Sequence, residues 1–323
     1  MIRTLHGACA ALLLTLAAGS ACAQDFPAKP VKIVVATAAG GAADIMARTL
    51  GDKLGPLLGQ AVVIEARPGA NGNIAAEYVA AAAPDGYTLM MGTIGALAIN
   101  ASLYKNTHYN PVKDFTPVAR LVSFSNILVV KEALPVHSVK ELIEYAKAHP
   151  NQLRYGSPGA GGSPHMAMVA LNLATGTRMI HAPYKGAAAA LTDLMGGFID
   201  LAFSDALVTQ PQLKGGRIRA LAVSGSTRLP TLPDVPTVAE AGVPGYSVSG
   251  WLGIAGPAGM PAPVVNKLNK AMNQVMDMPD IKAKMREQGA QIITGTPAEF
   301  QSYIAGEYNR WKKIIADANL VIE

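Results

Sequence analysis

The sequence predicts an α/β fold of two lobes joined by a hinge, with a cleft between the lobes. Short β-branched segments alternate with longer amphipathic segments, a pattern typical of parallel strands joined by crossover helices. The alternation is interrupted near residues 115–131 and then resumes. A chain of 323 residues is longer than one compact core usually requires, so its length fits two lobes.

The first lobe is predicted from the N-terminal strand–helix units together with the C-terminal segment. A buried strand over 31–36 is followed by a helix over 42–58, in which Leu50 and Leu54 lie broadly on one side. The other predicted elements are strands over 61–65, 87–91, 251–255 and 291–294, and helices over 74–83, 263–276, 280–288 and 297–317. We therefore expect lobe 1 to comprise residues 24–124 and 249–323.

The second lobe is predicted to begin where the alternation is interrupted. Two strands are expected there, over 118–121 and 127–130, with the domain crossing between them. The further elements are strands over 153–157, 179–183, 199–203 and 219–223, and helices over 139–148, 164–175 and 187–195. A proline-rich stretch over 229–244 is expected to be an irregular surface segment. Lobe 2 is thus predicted to be residues 125–248.

Residues 1–23 have the features of a secretory signal peptide. A single cation, Arg3, precedes the apolar run 8–18 and a small-x-small cleavage site at Ala21-Cys22-Ala23. An apolar run of about 11 residues is too short to span a bilayer, which requires about 20. We therefore expect an exported protein that begins at Gln24. Lipidation at Cys22 is a minor alternative, because Gly19 stands where such signals usually carry leucine.

The composition excludes several classes of site. The only two cysteines, Cys9 and Cys22, lie in the predicted signal peptide, so the mature chain is expected to have no disulfide, cysteine-ligated metal or cysteine nucleophile. The net charge of the full chain, +5, is mild, and the cations form no basic stripe with interleaved aromatics, which argues against nucleic-acid binding. We expect no cofactor, no metal and a monomeric protein.

Two glycine-rich turns, which we call the first and second jaws, are the most informative motifs. Each connects a buried strand to the start of a helix, where small residues allow close backbone approach and the helix end favours an anion. Ligands in open α/β sheets bind at the carboxyl ends of strands, where these turns lie. The predicted ligand-binding residues are Thr37, Ala38, Ala39, Gly40, Gly41 and Ala42 in the first jaw, and Ser157, Gly159, Ala160, Gly161, Gly162 and Ser163 in the second.

Three polar residues outside the glycine runs are further candidates for ligand contact. Thr93 follows the third strand, Asp205 follows the predicted strand 199–203, and His165 lies in the first turn of its helix. Each has an alternative structural role in turns or caps. Asp44 is expected to complement its helix terminus instead of contacting the ligand.

The sequence gives little support for catalysis. It has no Gly-x-Ser-x-Gly elbow, no His-Glu-x-x-His and no Gly-x-x-x-x-Gly-Lys-Ser/Thr motif. Ser163 and His165 are only two residues apart at a helix start, so their side chains are not expected to face each other. We therefore predict no catalytic residues.

The chain resembles the Bug family of periplasmic receptors of tripartite tricarboxylate transporters. The resemblance rests on six segments in the same order: 31–48, Arg67-Pro68-Gly69-Ala70-Asn71-Gly72, Asp85-Gly86-Tyr87-Thr88-Leu89, Tyr155-Gly156-Ser157-Pro158-Gly159, Ala182-Pro183-Tyr184-Lys185-Gly186 and Leu232-Pro233-Asp234-Val235-Pro236-Thr237. It implies a type II periplasmic binding protein fold in which two jaws hold a carboxylate, partly through water. The family usually has an aromatic residue at the position of Thr37, so the resemblance leaves the identity of the carboxylate open.

The resemblance implies a receptor that captures a small carboxylate, a dicarboxylate or an aromatic acid, in the periplasm. The expected partner is a membrane permease of a tripartite tricarboxylate transporter. Two alternatives remain open: a ligand-sensing receptor that contacts the outer domain of a sensor kinase, and a secreted hydrolase with a site that no motif marks.

Overall fold

The computed structural model describes residues 26–37 and 40–322. The predicted signal peptide, Ala38 and Ala39 of the first jaw, and Glu323 lie outside the described residues. The strands of the described part are β1 (Val31–Val35), β2 (Val62–Ala66), β3 (Thr88–Thr93), β4 (Phe115–Lys131), β5 (Arg154–Ser157), β6 (Ile180–Pro183), β7 (Leu201–Asp205), β8 (Ile218–Val223), β9 (Ser249–Pro257) and β10 (Ala290–Ile292).

The helices of the same part cover the faces of these strands. They are α1 (Ala42–Leu58), α2 (Asn73–Ala80), α3 (Asn100–Leu103), α4 (Val139–Ala148), α5 (Ser163–Thr175), α6 (Ala187–Met195), α7 (Ala206–Leu213), α8 (Ala262–Asp277), α9 (Pro279–Glu287) and α10 (Pro297–Asp317). A π-helical turn, Gly95–Ile99, leads into α3. Across residues 26–37 and 40–322, no helix has both the length and the apolar character that a bilayer span requires.

The strands form a sheet in the order β2-β1-β3-β9-β4-β7-β5-β6, and β8 and β10 also pair with β4. β1 is parallel to β2 and β3 at one end, and β5 is parallel to β6 and β7 at the other. The antiparallel pair β4 and β9 lies between the two parallel groups. The predicted α/β class is therefore confirmed.

The prediction of two separate strands near the crossing is wrong, because β4 is one strand of 17 residues. Its first part, through Ser125, pairs with β9, and its last part, from Asn126, pairs with β7 and β8. Residues 122–124 also pair with β10 on the other side. Backbone groups in the middle of β4 thus have partners on both sides, which keeps the strand continuous through serine and asparagine residues of low strand propensity.

Local signals and burial explain why the main helices form where they do. Helix α1 buries Met46, Leu50 and Leu54, which recur at helical spacing, and it ends at Gly59 in the left-handed conformation (φ 70°). Helix α10 begins with a capping box, in which Thr296 accepts from the Glu299 backbone N–H and the Glu299 side chain binds back to Thr296.

Three other expectations about the fold need correction. Helix α7 and the helical segment Gly95–Leu103 were not expected, and both directly follow strands of the sheet. The stretch 229–244 contains no helix or strand, as expected, but it is not wholly a surface segment. Its Leu229, Val238 and Val243 are buried in the core.

Candidate functional site

A cavity of about 600 Å³, which we call the front cavity, lies between the two parallel groups of strands. Thr37, Pro158 and Lys185 follow the carboxyl ends of β1, β5 and β6, and Asp205 ends β7. Its other wall residues are mainly apolar: Ala36, Ile45, Met46, Pro68, Val122, Phe124, Ala206, Val208, Leu252, Met285 and Ala290. Because ligands of α/β sheets bind at the carboxyl ends of strands, the front cavity is the candidate site.

The two jaws have the same backbone conformation at the two glycines that precede each helix. Gly40 has φ +83° and Gly161 has φ +81°, values that favour glycine because it lacks a Cβ. The next residues, Gly41 (φ −72°, ψ 160°) and Gly162 (φ −75°, ψ 164°), are the N-caps of α1 and α5. The two helices therefore begin with equivalent local geometry.

Each jaw uses one glycine amide for an internal hydrogen bond. The Gly40 N–H donates to Asp44 Oδ2 (3.0 Å), and the Gly161 N–H donates to His165 Nδ1 (3.1 Å), four residues later in each case. Arg48 Nε donates to Asp44 and holds the pKa of that carboxyl below its usual range. These two amides are thus occupied, while the first amides of α1, from Gly41 onward, have no partner within the helix.

Thr37 lines the front cavity and carries a polar atom without a partner. Its Oγ1 is buried and has no hydrogen-bond partner within the part of the chain that the structure describes. A buried hydroxyl left unpaired costs about 1–3 kcal/mol. A ligand oxygen or nitrogen in the cavity would remove that cost.

The second jaw packs against residues of the N-terminal part of the chain. A Cβ built on Gly161 would lie 2.7 Å from Asn71 Nδ2 and 2.8 Å from Leu103 Cδ2. Asn71 itself donates to Asn100 Oδ1 (2.9 Å), and Asn100 donates to Asn73 Oδ1 (2.8 Å). The glycine at position 161 therefore permits a close contact with a hydrogen-bonded asparagine cluster.

Histidine and tyrosine rings stack beneath the second jaw. The His165 and His181 ring centroids are 4.0 Å apart, and His181 lies 4.9 Å from the Tyr155 ring. Burial lowers the pKa of His165 to about 3 and that of His181 to about 4, so both rings are neutral at pH 7. Neutral His165 is an acceptor at Nδ1, and its function in the described structure is to hold the Gly161 amide.

Ser157 and His181 approach each other beneath the second jaw. The Ser157 Oγ lies 2.7 Å from His181 Nε2 and 2.9 Å from the Gly159 carbonyl oxygen. Donation of the hydroxyl proton to Gly159 places the proton of His181 on Nε2, whereas a general base at this nitrogen requires the other tautomer.

Asp205 has an unusual electrostatic environment in the front cavity. Burial raises the pKa of its carboxyl to about 6, and no cation pairs with it within the described residues. Near this pKa the group can be protonated and then donate a hydrogen bond to an anion. When ionised, it repels one.

The structure brings some of the predicted site residues together and separates others. Those that line the front cavity are Thr37, Gly40, Gly41, Ala42 and Asp205. Thr93 Oγ1 accepts from the Ala96 backbone N–H (3.2 Å) instead of reaching the cavity. The predicted residues that are not on its described wall are Thr93, Ser157, Gly159, Ala160, Gly161, Gly162, Ser163 and His165.

The sequence reasoning did not select the segment before α6. Lys185, Gly186, Ala187 and Ala188 line the front cavity, and Gly186, with φ 113°, is the N-cap of α6. This segment is a third strand–turn–helix unit of small residues, and Lys185 adds an exposed cation. The Tyr184-Lys185-Gly186 motif directly before the helix predicted at 187 was the sequence signal that could have indicated this segment.

Comparisons with known proteins agree on one family. The family model described as tripartite tricarboxylate transporter family receptor matches residues 46–320. Among solved structures, Rpa4515 of R. palustris with adipate is 38% identical, with a TM-score of 0.83, and the match covers 92% of this chain and 99% of that one. The periplasmic binding protein BugD is 34% identical, with a TM-score of 0.80 and coverage of 92% and 100%.

A third similar structure is MatC of Rhodopseudomonas palustris with bound malate. It is 33% identical, with a TM-score of 0.80, and the match covers 90% of this chain and all of that one. These likenesses extend over nearly the whole described chain and confirm the predicted two-lobe architecture of periplasmic solute-binding proteins.

Proposed function

Because the chain belongs to the tripartite tricarboxylate transporter receptor family, we propose that it captures a small carboxylate in the front cavity and delivers it to a membrane permease of that transporter class. Binding is reversible and involves no chemical change to the ligand. The protein acts in the periplasm after removal of residues 1–23, as a monomer and without a cofactor. The similarity to BugD supports the compartment.

The observation that carries this proposal is the set of hydrogen-bond donors and positive charges that borders the front cavity. The amino ends of α1 and α6 both border it, at Gly41 and Gly186, and helix amino ends supply N–H donors and a partial positive charge. Thr37 Oγ1 and the Lys185 ammonium add one unpaired hydroxyl and one cation. These groups match the acceptor-only chemistry of an ionised carboxylate.

The apolar part of the wall favours a ligand with a hydrocarbon body. Apolar side chains such as Met46, Phe124 and Leu252 line the cavity beside the polar groups that would bind a carboxylate. Relatives of this chain have been crystallised with adipate and with malate, both dicarboxylates. We therefore propose a dicarboxylate or an aromatic acid as the ligand class.

We further propose that the lobes divide at 124/125 and 248/249. The division is supported by the strand partners, since β4 changes partners between Ser125 and Asn126 and β9 begins at Ser249. Carboxylate capture then joins residues on both sides of the crossing strands. Thr37, Gly40, Gly41 and Ala42 act from lobe 1, and Asp205 acts from lobe 2.

The test is isothermal titration of the mature protein against adipate, malate and benzoate at pH 7.5. The diamide of adipate serves as a neutral control of nearly the same shape. We expect at least one acid to bind and the diamide not to bind. Binding of the diamide as tightly as the acid, or no binding of any carboxylate in a broader panel, would contradict the proposal.

The variant Gly41→Val tests the site itself. Gly41 has ordinary extended dihedral angles, so valine adds bulk on the cavity wall without backbone strain. We expect binding to weaken by at least tenfold while the melting temperature changes little. The matched control is Gly306→Ala, a replacement at an exposed glycine of α10 with open space around it, which should bind as the wild type does.

A further inference from the structure

A second cavity, which we call the rear cavity, lies on the opposite side of the crossing strands. Its volume is about 590 Å³. Along β4, Val122 lines the front cavity, whereas Ser123 and Ser125 line the rear cavity. This alternation follows from the strand, in which successive side chains point to opposite faces. Phe124 borders both cavities.

Segments attached to both halves of β4 form the wall of the rear cavity. Residues 226–230 follow β8, which pairs with the last part of β4. Residues 289–293 contain β10, which pairs with residues 122–124 of the same strand. The rear cavity is therefore enclosed by parts of the chain that a movement of the lobes would displace relative to each other.

The charge of this wall is strongly one-sided. Five cationic residues line it against the single carboxylate Glu307; the cations are Arg120, Arg228, Lys282, Arg286 and Arg310. Hydroxyl groups complete the polar lining, from Ser123, Ser125, Ser226, Thr227, Ser247 and Ser249. The arginine and lysine groups of this wall are donors only, and the hydroxyls can also donate.

Three of the cations already have acidic partners. Arg228 pairs with Glu240 (2.9 Å), and Lys282 pairs with Asp277 (2.5 Å). Arg310 pairs with Glu307 (3.3 Å). Arg120 and Arg286 form no ion pair within the described residues, although Glu307, which pairs with Arg310, also attracts Arg120. The wall therefore has more cations than carboxylates to pair with them.

Arg120 is held in a position that leaves part of its donor capacity unused. Its guanidinium stacks on the Tyr303 ring at 3.6 Å, and its Nε is buried without a hydrogen-bond partner. Burial lowers the pKa of this guanidinium from its usual value. Glu307 and Tyr303 offset only part of the burial cost of this half-buried cation, and an anion in the adjacent cavity would offset more of it.

We propose that the rear cavity binds a small polyanion with at least two phosphate or carboxylate groups. Arg120 and Arg286 bind one anionic group, and Arg228 with the hydroxyls of Ser226 and Thr227 binds another across the hinge. The cavity is as large as the front cavity, so it exceeds what a single carboxylate needs. Its concave shape, enclosed by both lobes, favours a small molecule over an acidic segment of a partner protein.

The test is titration of the mature protein with pyrophosphate, which has no carboxylate, and with citrate, at low ionic strength. The variant is Arg286→Gln, because Arg286 is exposed on α9 and its replacement should leave the fold intact. The matched control is Arg217→Gln, an exposed arginine just before β8 that lines neither cavity. Circular dichroism of each variant checks that it is folded.

We expect saturable binding that weakens about tenfold in Arg286→Gln, the size of one charge-assisted contact, and is unchanged in Arg217→Gln. Binding should also persist in Gly41→Val, whose front cavity is blocked. Citrate binding that persists in Gly41→Val supports a polycarboxylate ligand, and binding of pyrophosphate without binding of citrate supports a phosphate ligand. Absence of saturable binding by both probes would overturn the proposal. This is the result expected if the wall instead binds an acidic partner protein. Equal weakening in the two arginine variants, or loss in Gly41→Val, would also overturn it.

Discussion

The replacement Thr37→Val tests the proposed role of the unpaired hydroxyl in the front cavity. Valine keeps the shape of threonine and removes only the Oγ1 that is buried without a partner. A hydrogen bond to a charged carboxylate contributes about 1.5 kcal/mol or more, so its loss should raise the Kd by about tenfold. The free protein should lose no stability and gain up to about 1 kcal/mol, because an unsatisfied polar atom is removed.

Titration calorimetry measures the expected loss of affinity, and urea unfolding measures the expected gain of stability. The matched control is Thr93→Val, because Thr93 Oγ1 accepts from the Ala96 N–H and does not line the front cavity. That variant should lose about 1 kcal/mol of stability and bind as the wild type does. If Thr37→Val binds normally, or if it is destabilised as much as Thr93→Val, the assignment of Thr37 to the ligand is refuted.

Four further predictions follow from the geometry of the described residues. Gly161→Val should lower the melting temperature and weaken ligand binding, because φ is +81° and its Cβ would meet Asn71 Nδ2 at 2.7 Å; a fully stable variant with normal affinity would contradict the contact. Carboxylate affinity should rise as the pH falls from 7.5 to 5.5, because Asp205, with a pKa of about 6, becomes protonated, and calorimetry of Asp205→Asn should find that rise absent. Stability should fall as the pH drops from about 6.5 toward 4, because His165 and His181 take up protons in the unfolded chain but stay neutral in the folded protein, where burial lowers their pKa values to about 3 and 4. This outweighs Asp205, whose raised pKa acts in the opposite direction, and in urea unfolding at several pH values His181→Phe should show a smaller change of unfolding free energy with pH. Gly306→Ala should raise the free energy of unfolding by about 0.5–1 kcal/mol, since position 306 is an exposed helix interior with free space, and an unchanged melting temperature would contradict this.

Local patterns predicted the helices that carry their own start and stop signals. The predicted bounds of α1, α4, α6 and α10 coincide with those of the structure. Ser138 caps the start of α4, since its side chain accepts from the Glu141 N–H, and Thr296 caps the start of α10 through its capping box. In these cases the sequence-local interactions and the tertiary packing favour the same boundaries.

Long-range pairing determined the elements that the sequence did not reveal. The middle of β4 contains Ser123 and Ser125, which are typical of a turn, and only pairing with β9 and β10 makes it a strand. Helix α7 begins directly after β7 and contains Pro211, which normally argues against a helix. Such elements depend on neighbours that are distant in the sequence.

The candidate site was predicted only in part, because it also depends on packing between segments that are distant in the sequence. The first jaw and Asp205 follow strand ends whose position could be inferred from the chain, and they line the front cavity. The second jaw is also a glycine-rich turn after a strand. The position of this jaw relative to the cavity depends on how it packs against Asn71 and Asn100. The segment at Lys185–Ala188 has only one glycine, so the criterion of glycine-rich turns did not select it.

The continuity of β4 has a consequence for motion between the lobes. The strand passes from its pairing with β9, which ends at Ser125, to its pairing with β7 and β8, which begins at Asn126, so the lobes are joined by a continuous strand and not by a free linker. They can change their relative angle only by twisting a hydrogen-bonded ribbon whose amides stay protected from deuterium exchange. Closure around a ligand is therefore expected to be an elastic deformation of limited amplitude, with a restoring force that returns the receptor to its resting angle after release.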